Sequence, residues 1–205
     1  MEEEKNSSTP NPLFEKWGIL SKTPFFRETA SLNWVDAEKE GGTELVLMGD
    51  NRQIVLDADD KRIATYGLGE CTAVCALAEK DGNWIGYIQH YPSIQREESM
   101  KALEHFRNSV SGDIQAVAIM SPGEWVKDDQ TGKWTMVFKD SDLADKLAGC
   151  CTKDDEKLPQ IINVPYSENL SGEYEEGTLA AGTRNGELYI EAEGIPIMRK
   201  PINDD

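Results

Sequence analysis

Residues 71–91 read CTAVCALAEKDGNWIGYIQHY, two apolar stretches on either side of Asp81-Gly82. An Asp-Gly pair between such stretches predicts a β-hairpin with a two-residue turn, because both turn positions require positive φ. That turn fixes the register. Ala73 then faces His90, Cys75 faces Ile88 and Cys71 faces Pro92, and all of them project from one face, since side chains alternate with period two. His90 is therefore diagonal to both Cys71 and Cys75. Diagonal neighbours lie about 7–8 Å apart at the backbone, close enough for leaning side chains to meet. Hairpin geometry alone allows either cysteine to pair with His90.

Working outward, ELVLMGDNRQIVLDADDKRIATYGLG gives short strands near 44–48, 52–57 and 61–66, separated by Gly-Asp-Asn and Asp-Ala-Asp-Asp turns. On the other side, IQREESMKALEHFRNSV has apolar residues at near-helical spacing and predicts an amphipathic helix from about Ser93 to Ser109. DIQAVAIMSPG predicts a strand ended by Pro122-Gly123. A turn over 128–132 leads to strand KWTMVFK, and a short helix over DLADKLAG is expected to stop at Gly149. LPQIINVPY is a further strand. TLAAGTRNGELYIEAEG is a second hairpin, turned at Asn185-Gly186. About nine strands and two helices without regular alternation predict an α+β sandwich with a mainly antiparallel sheet. Residues 1–12 read as a disordered polar tail and 13–205 as a single domain.

The flank separates the two cysteines. Cys71 follows Thr65-Tyr66-Gly67-Leu68-Gly69-Glu70, a glycine-spaced turn at the mouth of the strand. Gly67 and Gly69 permit unusual dihedrals and close approach to a ligand, and amides of such a turn can hold an oxyanion. Cys75 lies deeper in the strand, where cysteine acts as a small core hydrophobe.

The run from Thr65 to Cys71, continued as Thr72-Ala73-Val74-Cys75, resembles the T-x-G-L-G-S-C-V-A-V-C stretch of the CheD family of chemoreceptor glutamine deamidases. That family's histidine follows on the return strand of a hairpin, the place His90 occupies. The clear match covers residues 65 to 92. The resemblance implies a layered α/β/β sandwich, shared with cytotoxic necrotizing factor toxins and N-terminal asparagine amidohydrolases. It also implies a cofactor-free cysteine hydrolase, a protein-glutamine deamidase, with Cys71 as nucleophile, His90 as general base and Thr65 as orienting residue. The substrate loop would comprise Gly67, Gly69, Glu70 and Thr72. Glu70 departs from the small residue usual before the cysteine. Its carboxylate would raise the thiol pKa if it faced the sulfur.

Composition bounds the partners. With 38 acidic against 21 basic side chains, the net charge is -17. Such a field repels phosphate backbones and anionic membrane surfaces. It reads first as solubility and, more sharply, as suited to a basic protein partner. A protein bearing a target Gln or Asn is the partner that the resemblance implies. No apolar run reaches the roughly 18 residues a membrane helix needs, and MEEEKNSSTPNP is no signal peptide. Four thiols, Cys71, Cys75, Cys150 and Cys151, then suggest a reducing, cytoplasmic setting, although an effector exported without such a signal would read the same way. Zinc is the competing chemistry for Cys71, Cys75 and His90, but C-x₃-C lacks the C-x₂-C spacing of zinc knuckles, so no metal is expected. The second histidine, His105, reads as a packing or surface residue of the helix. The runner-up function is a catalytically silent binding module of the same fold.

Overall fold

The computed structural model describes residues 42–57, 59–68, 70–92, 101, 106–140, 146, 149–150, 159–166, 178–192 and 195–202. Both Asp-Gly and Asn-Gly turns form as the sequence demands. Asp81 and Gly82 have φ of 51° and 75°, and Asn185 and Gly186 have 54° and 74°, the double positive φ of a type I′ turn. The first joins β4 (Thr72–Lys80) to β5 (Asn83–Tyr91), with Ala73 opposite His90 and Cys75 opposite Ile88. The second joins β9 (Leu179–Arg184) to β10 (Glu187–Ala192).

The remaining elements are β1 (Thr43–Leu45), β2 (Asn51–Val55), β3 (Arg62–Thr65), helix α1 (Phe106–Ser109), β6 (Asp113–Lys127), β7 (Trp134–Phe138), β8 (Gln160–Tyr166) and β11 (Ile195–Pro201). One sheet runs β1-β3-β9-β10-β11. The other runs β2-β5-β4-β6-β7, with β8 beside β6. Both sheets are mixed: β1–β3 and β6–β8 are parallel and the other pairings antiparallel.

The sheets pack face to face. Ala73, Cys75, Leu77 and Ile88 from the six-stranded sheet share one buried cluster with Ile63, Leu179, Leu188 and Ile190 from the five-stranded sheet. The alternate residues Val74, Ala76, Ala78, Ile85 and Tyr87 face the other way, into a second cluster with Phe106 and Val110. There Phe106 meets Tyr87 edge to face, with centroids 5.5 Å apart, a contact worth about 0.5–1.5 kcal/mol beyond the area buried. Burial on both faces explains why β4 reads as an almost unbroken apolar run.

The structure corrects the sequence reading at several points. Eleven strands stand among the described residues, against about nine expected; β11 carried no local signal. Helical structure is described at Phe106–Ser109 and at Lys101, while 93–100 and 102–105, including His105, lie outside the described residues. Gly149 does not stop its helix, because Gly149 and Cys150 are both helical and Gly149 lacks the positive φ of a helix stop. The expected tail at 1–12 also lies outside the described residues.

Pro122-Gly123 does not end β6, which continues to Lys127. Instead the strand changes partner there. Ser121 and Pro122 pair with Pro165 and Tyr166 of β8, and Gly123 onward pairs with β7. Gly123 is required by close approach, since a Cβ would meet Pro165 Cβ at 2.8 Å and Val137 O at 2.9 Å. Gly123→Ala is expected to lower unfolding free energy by about 1–3 kcal/mol through overpacking. Urea denaturation checks this, and an unchanged midpoint would show that β8 yields at no cost.

Candidate active site

His90 is 2% exposed and lies on the face of β5 turned toward the other sheet. Thr65, fully buried at the end of β3, reaches it from that opposing sheet. Thr65 Oγ1 donates to the carbonyl of Val46 at 2.7 Å and lies 2.9 Å from His90 Nδ1. A hydroxyl has one proton, and a carbonyl can only accept. The Thr65 proton is therefore committed to Val46, and Thr65 Oγ1 accepts from His90 Nδ1–H. This fixes the tautomer and leaves the lone pair on Nε2, which has no hydrogen-bond partner.

Burial pulls the His90 imidazole down to about 4, because the charged form is poorly solvated. Thr65 is a neutral acceptor and supplies no compensating charge. At neutral pH the ring is an uncharged base with an open nitrogen.

Cys71 immediately precedes β4 and is 6% exposed. Its amide donates to Leu68 O at 2.5 Å, and its carbonyl accepts from Tyr166 Oη at 2.6 Å. The residue is thus held from both sides, once by its own turn and once by β8. Its sulfur lies 3.8 Å from Met48 Sδ. No hydrogen bond joins Cys71 Sγ to His90 Nε2: the imidazole is anchored through Nδ1 on Thr65, and the thiol meets Met48. Catalytic hydrogen bonds are commonly long in unliganded enzymes and close on the substrate.

Around the cysteine, Gly67 is exposed with φ of 65°, so the turn does use the left-handed conformation that glycine permits. Gly69 lies outside the described residues. Glu70 is exposed, and Thr72 Oγ1 lies 2.7 Å from Ser121 Oγ. Because Cys71 N–H is engaged with Leu68, it does not serve as an oxyanion donor as the turn stands. Cys75 is fully buried, and burial pushes its thiol far up. Among the described residues no three His, Cys, Asp or Glu side chains are arranged to hold a metal ion.

Two contributors escaped the sequence reading. Tyr166 comes from a parallel strand 95 residues away. The other is the connection between β1 and β2, residues 46–50. Val46 O takes the Thr65 proton, Met48 meets the Cys71 sulfur, Gly49 N donates to His90 O at 2.9 Å, and His90 N donates to Asp50 O at 3.0 Å. Gly49, at φ of 88°, supplies its bend.

No family model and no curated relative matches the chain.

Thr65→Val would take the acceptor from His90 Nδ1–H and the hydroxyl donor from Val46 O in the interior. The expected stability loss is about 1–3 kcal/mol. Any turnover should fall by about tenfold or more as the tautomer loses its anchor. Thr65→Ser keeps the hydroxyl and should restore both. Equal turnover in the Val and Ser variants would show that Nδ1 needs no acceptor.

Proposed function

We propose that the chain is a CheD-like cysteine amidohydrolase, a protein-glutamine deamidase, with Cys71 as nucleophile, His90 as base and Thr65 as orienting residue. The observation that carries this reading is His90 Nε2, a buried, uncharged, proton-free nitrogen on the sheet face that also bears Cys71. In the proposed reaction Nε2 takes the Cys71 thiol proton, and the thiolate attacks the carboxamide carbon of glutamine. The imidazolium returns its proton to the departing ammonia, leaving a thioester. His90 then deprotonates water, which releases glutamate and the free thiol. Oxyanion donors would come from other groups of the 67–72 turn, Gly67, Gly69, Glu70 and Thr72.

The chemistry closes without a cofactor. Met48, 61% exposed and against the Cys71 sulfur, and its exposed neighbour Leu47 offer apolar contact to a protein substrate. The net charge of -17 favours a protein over nucleic acid as partner. Among the described residues no helix is long and apolar enough to cross a membrane. We place the reaction in the cytoplasm on the four thiols; action as an effector on a foreign protein uses the same chemistry.

A second reading, a silent binding module, draws on the absent Cys71–His90 hydrogen bond and on the burial of Cys71. Proteomic mass spectrometry of lysates treated with wild type or Cys71→Ala separates the two. A deamidase converts particular amides to acids in the wild-type sample alone. Identical spectra would leave the binding module.

A further inference from the structure

The outward side chains of β10 line a trough on the face of the five-stranded sheet remote from the sheet–sheet core. Glu187, Tyr189 and Glu191 follow one another along it, with Arg184 on the β9 side and Arg199 and Pro196 on the β11 side. The cavity measures about 90 Å³. An apolar cavity of about 150 Å³ takes up benzene, so this one suits a group of a few heavy atoms with the remainder emerging.

The trough is graded. At its deep end Glu191 is 3% exposed, and Oε2 has no hydrogen-bond partner. Burial raises this carboxyl above its ordinary range, against the smaller opposing pull of Arg184, Arg62 and Arg199. A buried carboxyl oxygen without a partner is costly, and a cationic donor there would hold the group ionised. At the mouth Arg199 is 61% exposed and only loosely paired with Glu187, at 3.9 Å. Tyr189 lies directly opposite Arg199 in the register, with the Arg184 guanidinium carbon 5.0 Å from its ring centre.

Charge narrows the ligand. A simple cation at Glu191 would meet the field of Arg62, Arg184 and Arg199, which all act on that carboxylate. A simple anion at Arg199 would sit between Glu187 and Glu191. A molecule carrying an ammonium and a carboxylate on one carbon offers a partner to each. We propose that this trough binds a free α-amino acid, its ammonium donating to Glu191 Oε2 and its carboxylate pairing with Arg199. The site uses none of the groups proposed for amide hydrolysis. It lies one register row from Thr65, on the opposite face of the same sheet: Thr65 pairs with Leu179, and Leu179 with Ala192, next to Glu191.

Titration calorimetry of the full chain with L-alanine tests this, with methylammonium chloride and sodium acetate as half-ligands. The expected result is saturable binding of alanine, with each half-ligand at least tenfold weaker. Glu191→Gln and Arg199→Ala should each weaken alanine at least tenfold, with circular dichroism confirming the fold. Arg199 is exposed, so its variant decides the matter if Glu191→Gln does not fold. No heat with alanine, acetate binding as tightly as alanine, or alanine binding undiminished by Arg199→Ala would each overturn the assignment.

Discussion

Cys71→Ala is expected to abolish amide turnover and to remove the fast phase of iodoacetamide labelling, while Cys75→Ala keeps both. The two thiols stand on the same sheet face, four residues apart, and both are buried, Cys71 at 6% exposure and Cys75 at 0%. Cys75 is sealed in the sheet–sheet core, where burial pushes its thiol far above the neutral range, so it holds no thiolate to react. Its replacement should cost only about 1–2 kcal/mol for a small cavity. Cys71 stands at the edge of that core, beneath the exposed Met48. Met48→Ala should therefore speed labelling of Cys71 by opening the approach to sulfur. Fast labelling at Cys75 with a sluggish Cys71 would reverse the assignment.

The second large effect is a pH dependence of stability that belongs to His90. Its folded value of about 4 lies below the roughly 6.5 of an unfolded histidine. Between those values the unfolded chain binds the extra proton and the folded chain does not. The stabilisation is present in full above about pH 6.5 and is lost as pH falls toward 4. Discounted for solvent screening, the loss is on the order of 2 kcal/mol. Urea denaturation at pH 7, 5.5 and 4.5 should show this decline in wild type and a shallower one in His90→Gln. Parallel slopes would place the titrating group elsewhere. The same lowered value keeps the proposed base uncharged throughout the neutral range. Free-enzyme turnover should then show no break between pH 6 and 7 from imidazole protonation.

Much of this was legible locally. Asp81-Gly82 demanded a type I′ turn, and period-two alternation then put Cys71, Cys75 and His90 on one face. The glycine turn before Cys71 was legible too, and Gly67 has φ of 65°. What stayed hidden is non-local. Tyr166 reaches Cys71 through the parallel β6–β8 pairing, and parallel pairs have no connecting turn for a sequence to announce. Pro122-Gly123 reads as a stop because proline cannot donate to a ladder, yet at a change of partner a missing donor and a missing side chain are both useful. Met48 looked like one more apolar residue in a short strand. Only the bend at Gly49 aims it at sulfur. Val46 contributes a carbonyl, which no side-chain pattern can advertise.

The connection 46–50 leads from a strand of one sheet to a strand of the other, and along the way it touches Thr65, Cys71 and His90. Thr65 comes from one sheet and the Cys71–His90 hairpin from the other. A chain with only its central hairpin formed carries both would-be reactive residues but leaves the imidazole free to exchange tautomers. The proposed hydrolysis would then require the two sheets to be docked. Newly synthesised or partly unfolded copies would stay chemically quiet, and catalytic rate would serve as a gauge of how far assembly has gone.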